Sequence, residues 1–192
     1  MAADDVLFFT ESDEACALIA RDPVALLVGF ALDQQITVQQ AFAGPLRLLD
    51  RLGHLDPARI AATDPAELEA AFRQPPALHR YPAAMARRVQ ELCAYLAERY
   101  DSDASRVWTE AADARDLQRR LGELPGFGEM KVRTLTVVLA RRLGVRPPGI
   151  DAVLPPFRTL GDVTSHVELE EYQAAKRAKK AAARAAERAG HA

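Results

Sequence analysis

Residues 124–131 read Leu-Pro-Gly-Phe-Gly-Glu-Met-Lys, one proline and two glycines set between two stretches rich in helix-forming residues. Upstream, residues 113–122 have helical spacing; downstream, Val132, Leu135, Leu139 and Leu143 form an apolar stripe over 129–143. The segment between them is therefore a hairpin joining two helices. Glycine reaches backbone angles closed to other residues and carries no side chain. Gly126 and Gly128 thus either simply turn the chain or bare the amides beside Phe127 to an anion, with the dipole of the second helix behind them.

The rest of the chain has the same helical character. Asp22-Pro23, Asp56-Pro57 and Asp64-Pro65 each pair a capping carboxylate with a proline that loses nothing in a first turn. The first of these starts a helix over 23–32, and the other two start short helices that end near Phe72. Thr37 and Gln40 make a capping box for a helix ending near Gly53, which Gly44-Pro45 should kink. Residues 33–36, Asp-Gln-Gln-Ile, are then a helix-to-helix corner. From Ala83 to Tyr100, Met85, Val89, Leu92, Leu96 and Tyr100 recur at helical spacing. The expected fold is all-α: a helical domain over 22–144, a reduced second lobe from 1–21 plus 145–172, and a solvated basic, alanine-rich tail over 173–192.

Composition agrees with a globular protein, at 49% hydrophobic and 27% charged residues. No apolar run reaches the ~20 residues of a membrane span, and Ala2 to Asp5 lack the basic flank of a signal peptide, so a cytoplasmic location with no membrane contact is expected. Cys16 and Cys93 stand alone and the four histidines are scattered, which leaves no set for a metal or an iron–sulfur cluster. Net charge is −2, but residues 113–150 hold eight basic side chains against four acidic ones. The count centres a positive field on the hairpin.

Helix, Leu-Pro-Gly-x-Gly, helix resembles the hairpin of the helix-hairpin-helix (HhH-GPD) base-excision DNA glycosylase superfamily. Two further segments occur in that superfamily's order. Asp-Gln-Gln-Ile-Thr-Val-Gln-Gln-Ala-Phe at 33–42 is similar to the corner of the monofunctional 3-methyladenine glycosylase II-like branch that faces DNA. Arg-Tyr-Pro-Ala-Ala-Met-Ala-Arg-Arg-Val-Gln-Glu-Leu at 80–92 is similar to the segment in which a basic pair, here Arg87 and Arg88, opens the helix before the hairpin.

The resemblance implies a monomeric protein on double-stranded DNA, gripping its backbone with Gly126, Phe127, Gly128, Lys131 and Arg133. It further implies extrusion of an alkylated or deaminated base, with Gln34 or Gln35 plugging the gap, and hydrolysis of the N-glycosidic bond beside a carboxylate. Either glutamine is equally a solvated corner residue. Phe30, Tyr81 and Trp108 are the aromatics available to stack on an extruded base, or to fill the core.

Bifunctional relatives carry a nucleophilic lysine two positions after the second glycine, where this chain has Met130; Lys131 is turned by about 100° from that position. A monofunctional route is therefore expected, with Lys131 on a phosphate or in solvent. The acid expected after the second helix is Asp151, in Gly-Ile-Asp-Ala-Val-Leu-Pro-Pro-Phe, where a loop acid is the alternative. Asp33 is a second carboxylate for the same cleft, or a helix cap. The resemblance implies no iron–sulfur cluster and leaves room for a monovalent cation at the hairpin. A non-catalytic DNA-binding protein and a helical protein-interaction domain are the rival readings.

Overall fold

Aspartate before proline starts three helices in the computed structural model, which describes residues 6–189. Residues 1–5 and 190–192, including Ala2 to Asp5 and His191, lie outside the described residues, as do the side chains of Lys180 and residues 183–189. In chain order the helices are α1 (Asp13–Arg21), α2 (Pro23–Leu32), α3 (Val38–Leu52), α4 (Pro57–Ala62), α5 (Pro65–Arg73) and α6 (Pro82–Tyr100). They continue with α7 (Arg106–Thr109), α8 (Ala114–Glu123), α9 (Glu129–Arg142), α10 (Ile150–Val153) and α11 (His166–Ala189), with a 3₁₀ turn at Leu160–Asp162 before the last. No strand occurs among the described residues, and the fold is all-α.

Asp22 accepts the Val24 and Ala25 amides at 2.8 and 3.2 Å, Asp56 that of Arg59 at 2.9 Å, and Asp64 that of Ala66 at 2.9 Å. These bonds satisfy first-turn donors that have no partner within the helix. α2 is the central element, with every residue from Val24 to Leu32 buried. It meets α3 at Gly29, where a Cβ would lie 2.5 Å from the Phe42 ring, so glycine sets how closely the two helices cross.

Thr37 and Gln40 form the expected capping box, and Gly53 ends α3 in the left-handed conformation. Gly44 and Pro45, expected to kink this helix, lie buried within it, with Gly44 against Leu32 of α2. On the other side, the Gln90 amide of α6 donates to the Ala61 and Thr63 carbonyls, fastening α6 over the α4–α5 turn.

The helical domain and the second lobe expected from the sequence meet through buried apolar residues. Leu7, Phe9, Leu18 and Ile19, together with Ile150, Leu160, Val163 and Leu169, all from the segments assigned to the second lobe, share a core with α2, α3, α6 and α9 of the helical domain. Gly161 presses the 3₁₀ turn onto α9, where a Cβ would sit 2.8 Å from Val137 Cγ1 and 2.9 Å from the Val138 nitrogen. The boundary expected at 172/173 falls inside α11, and Gln173, the first residue of the supposed tail, is buried. Leu169 and Gln173 are the reason: they give the first turns of α11 a face that docks on the body.

Candidate DNA-binding and catalytic cleft

The hairpin spans α8 and α9, and its two glycines do different work. Gly126 has φ +81°, a conformation that strains any residue with a side chain, and a Cβ there would lie 2.8 Å from Arg88 Cδ. Gly128, expected to need the same freedom, is extended at φ −89° and ψ 173°, and a Cβ there would meet nothing. Its value is openness. It caps α9 with no side-chain hydrogen bond, so the first amides of that helix face outward beside two exposed glycines. Phe127 is 7% exposed and packs near Phe30, 6.4 Å between ring centroids. It anchors the turn from beneath and leaves the contact surface to the backbone.

Arg88 joins the hairpin to the Asp33–Ile36 corner. Its stem lies against Gly126 while its guanidinium donates to the Gln34 side-chain oxygen. The corner is held from below by His79, which is buried. The His79 Nδ1 accepts the Tyr81 amide at 3.0 Å, so Nε2 carries the proton and donates to the Gln34 carbonyl at 2.8 Å. Burial pushes the His79 pKa down and Arg80, Arg88 and Lys131 push the same way, against the Gln34 hydrogen bond. Held in this way, Gln35 adopts φ +59°, rare for a residue with a side chain, and projects at the rim.

Beside the corner opens a cavity of about 780 Å³, lined by Phe30, Ile36, Leu160 and Tyr172 among apolar groups and by Asp33, Arg80, Lys131 and Lys176 among charged ones. A smaller groove runs from it along Arg88, Gly126 and Gly128, sharing Met130 and Lys131. Lys131 is partly buried; its Nζ donates to the Ala31 carbonyl at 3.2 Å and lies 5.7 Å over the Phe127 ring. Desolvation pushes its pKa down to about 8, with Asp33 opposing the shift and Arg88 adding to it. Desolvation likewise raises the Asp33 pKa, against Lys176 and Lys131. Both groups are thus shifted toward their neutral forms, in one cavity.

The expected residues separate on this map. Gln34, Arg88, Gly126, Gly128 and Lys131 line the groove, and Asp33 and Gln35 line the cavity. Lys131, expected on a phosphate or in solvent, is half-buried and lines both groove and cavity, while Met130 is 72% exposed at the lip. The reason is rotational. Lys131 precedes the buried Leu135 and Val138 by four and seven residues, so it continues their face of α9 inward.

Asp151 lines neither cavity nor groove. It lies on α10 with its side chain 79% exposed, paired with Arg146 at 2.6 Å. Arg87 is exposed and lines neither space, and Arg133 pairs with Glu129 at 2.7 Å on the surface of α9. Of the aromatics, Phe30 lines the cavity, Tyr81 is exposed beneath Arg80, and Trp108 lines a separate groove by Arg141 and Arg142.

The positive field also moves. Arg119, Arg120, Arg133, Arg141 and Arg146, all counted toward the hairpin, are each paired with a carboxylate. His79, Tyr172 and Lys176, which the sequence reading passed over, come to the site from distant segments. Among the described residues no group of histidine, cysteine and carboxylate side chains could hold a metal ion.

These helices, with their hairpin at the lip of a polar cavity, define an all-α helix-hairpin-helix protein. Residues 28–189 match the HhH-GPD superfamily base excision DNA repair protein family, and the chain belongs to it. The match runs from within α2 to the end of α11. Comparison with curated proteins and with solved structures gives no match. Membership places the chain in base-excision DNA repair and makes DNA its partner.

Proposed function

We propose that the protein is a DNA glycosylase that removes a damaged base, alkylated or deaminated, from duplex DNA. The amides at Gly128 and the start of α9 hold a backbone phosphate, and Gln35 or Gln34 fills the gap left by the extruded nucleotide. The sugar of that nucleotide enters the cavity between Asp33 and Lys131.

The observation that carries this reading is the Lys131 amine, turned into the cavity beside a carboxylate and held at a pKa of about 8. At pH 7 roughly a tenth of such an amine is neutral and nucleophilic. Asp33 takes up the ammonium proton. The amine then attacks C1′, the electron pair of the glycosidic bond leaves with the base, and Asp33 returns its proton to that base. Further proton loss from nitrogen, with opening of the sugar ring, gives a Schiff base. This assigns to Lys131 the role expected at the Met130 position, and to Asp33 the role expected of Asp151.

Borohydride reduction during turnover on a lesion-bearing duplex tests the assignment. The expected result is a covalent protein–DNA adduct that is lost in Lys131→Ala and kept in Met130→Ala. Base release with intact strands and no adduct overturns the nucleophile, and supports the monofunctional route with water activated at Asp33, as in the 3-methyladenine glycosylase II-like branch.

A further inference from the structure

α11 carries its charges in two blocks. Glu168, Glu170 and Glu171 lie in its first turns, and Lys176, Arg177 and Lys179 follow. The first block is tied down. Glu168 accepts the Thr164 amide and hydroxyl at 2.7 and 2.8 Å, Arg158 reaches Glu168 and Glu171 at 3.5 and 3.9 Å, and the His166 ring meets Asp13 at 3.2 Å. Leu169 and Gln173 are buried, and the Gln173 amide donates to the Gln39 side-chain oxygen.

One turn further the helix reaches the cleft. Tyr172 and Lys176 line the cavity that holds Lys131, and Arg177 lines the neighbouring groove with Arg47 and Gln40. Lys176, Arg177 and Lys179 are exposed, and among the described residues none is in an ion pair. From Lys176 to its end the helix runs on for about 20 Å, at about 1.5 Å per residue.

We propose that this second half of α11 is a second DNA grip, seated on the phosphate backbone beside the extruded nucleotide and separate from the hairpin. The inference rests on the DNA reading above. The carboxylate block docks the helix, and the cationic block meets the polyanion at the cavity mouth. The two blocks also match the helix dipole, acids at its amino end and bases toward its carboxyl end, which stabilises the helix in this orientation.

Binding to an undamaged duplex, titrated against salt, is the test, because it requires no chemistry in the cavity. The variants are Lys176→Gln/Arg177→Gln/Lys179→Gln, and Gly128→Asp, which puts a carboxylate at the hairpin where a Cβ meets no neighbour. Each phosphate contact contributes about 0.9 to the slope of log K against log salt. The triple variant is expected to lose about 2–3 from that slope and about tenfold or more in affinity, with an unchanged melting temperature.

A triple variant with the wild-type slope, beside a Gly128→Asp variant that binds weakly, overturns the α11 grip alone and makes the helix a solubilising extension or a surface for another protein. Wild-type protein that shows no salt-dependent retention of DNA overturns the DNA reading and the α11 grip together.

Discussion

Two sets of cations flank the hairpin, and they have opposite fates. On α8, Arg119 reaches Asp116 and Glu123, both at 2.5 Å, and Arg120 reaches Asp116 at 2.9 Å and Glu110 at 3.5 Å. The two guanidiniums and the Ala112 amide together hold the Asp116 carboxyl well below the usual carboxylate range. Around the cleft, Arg80 stacks on Tyr81, Arg88 bonds a neutral amide, and Lys131 and Lys176 are in no ion pair among the described residues. The α8 arginines have acids three or four residues away, within reach on one helix face. The cleft cations come from the connector before α6, from α6, from α9 and from α11, and converge only in the fold. A residue count over 113–150 takes in the α8 arginines and, of the cleft set, Lys131 alone; the cleft cations, by contrast, are in no ion pair among the described residues.

The largest expected effect that separates the sets is on chemistry. Lys131→Ala should lower base release by about 10³-fold or more, as loss of a nucleophile does, whereas Arg119→Ala should leave it within about twofold. Single-turnover excision measures both.

Next comes the hairpin itself. Gly126→Ala forces a side chain into φ +81° and against Arg88, at a cost of about 1–3 kcal/mol read by denaturant unfolding, while Gly128→Ala should be within about 0.5 kcal/mol of wild type. Equal costs at the two positions would erase the distinction drawn between them.

On binding, Arg88→Ala is expected to weaken duplex affinity by about 5–30-fold, with a shallower salt slope. Arg119→Ala should change affinity less than twofold, because its charge is already neutralised on the surface. Arg119→Ala weakening binding as much as Arg88→Ala would break the comparison.

The smallest effects are in pH. Excision should rise with pH to a midpoint near 8, as the Lys131 amine loses its proton. Asp33 holds that value up, so the remaining activity of Asp33→Asn should reach its midpoint at lower pH. For His79 the folded state holds the ring below the ordinary value of 6.5, so the unfolded chain takes up a proton first. Stability should therefore fall as pH drops through that value, and a His79→Gln variant should show a flatter profile in thermal melts.

Much of the fold was legible because its signals are local. The Asp-Pro pair places the start and end of α2 where they occur, the capping box of Thr37 is formed, and α6, α8 and α9 begin or end within a residue of their periodic patterns. The candidate site was legible in part. The Gln-Gln corner and the hairpin are contiguous stretches, and they meet. Lys131 was legible as a site residue but not as half-buried, for reasons of helical phase: the apolar stripe was started from Val132, which hides the inward position beside the exposed Met130. Asp151 was placed by its distance from the hairpin along the chain, and the loop before α10 carries it outward to Arg146 instead. His79, Tyr172 and Lys176 have no local pattern that marks them, since the cavity they border exists only after α6, α9 and α11 pack.

Arg88 rests its hydrocarbon stem on the Gly126 bend and hands its charged end to Gln34. Latch and wedge, as the proposed function casts them, are thereby yoked: the loop that would settle on a sugar–phosphate strand and the loop that would prise a nucleotide from its stack turn on one shared side chain. Under the proposed function, a phosphate seated on the first would be felt at the second through Arg88, which would tie travel along a duplex to the testing of each step.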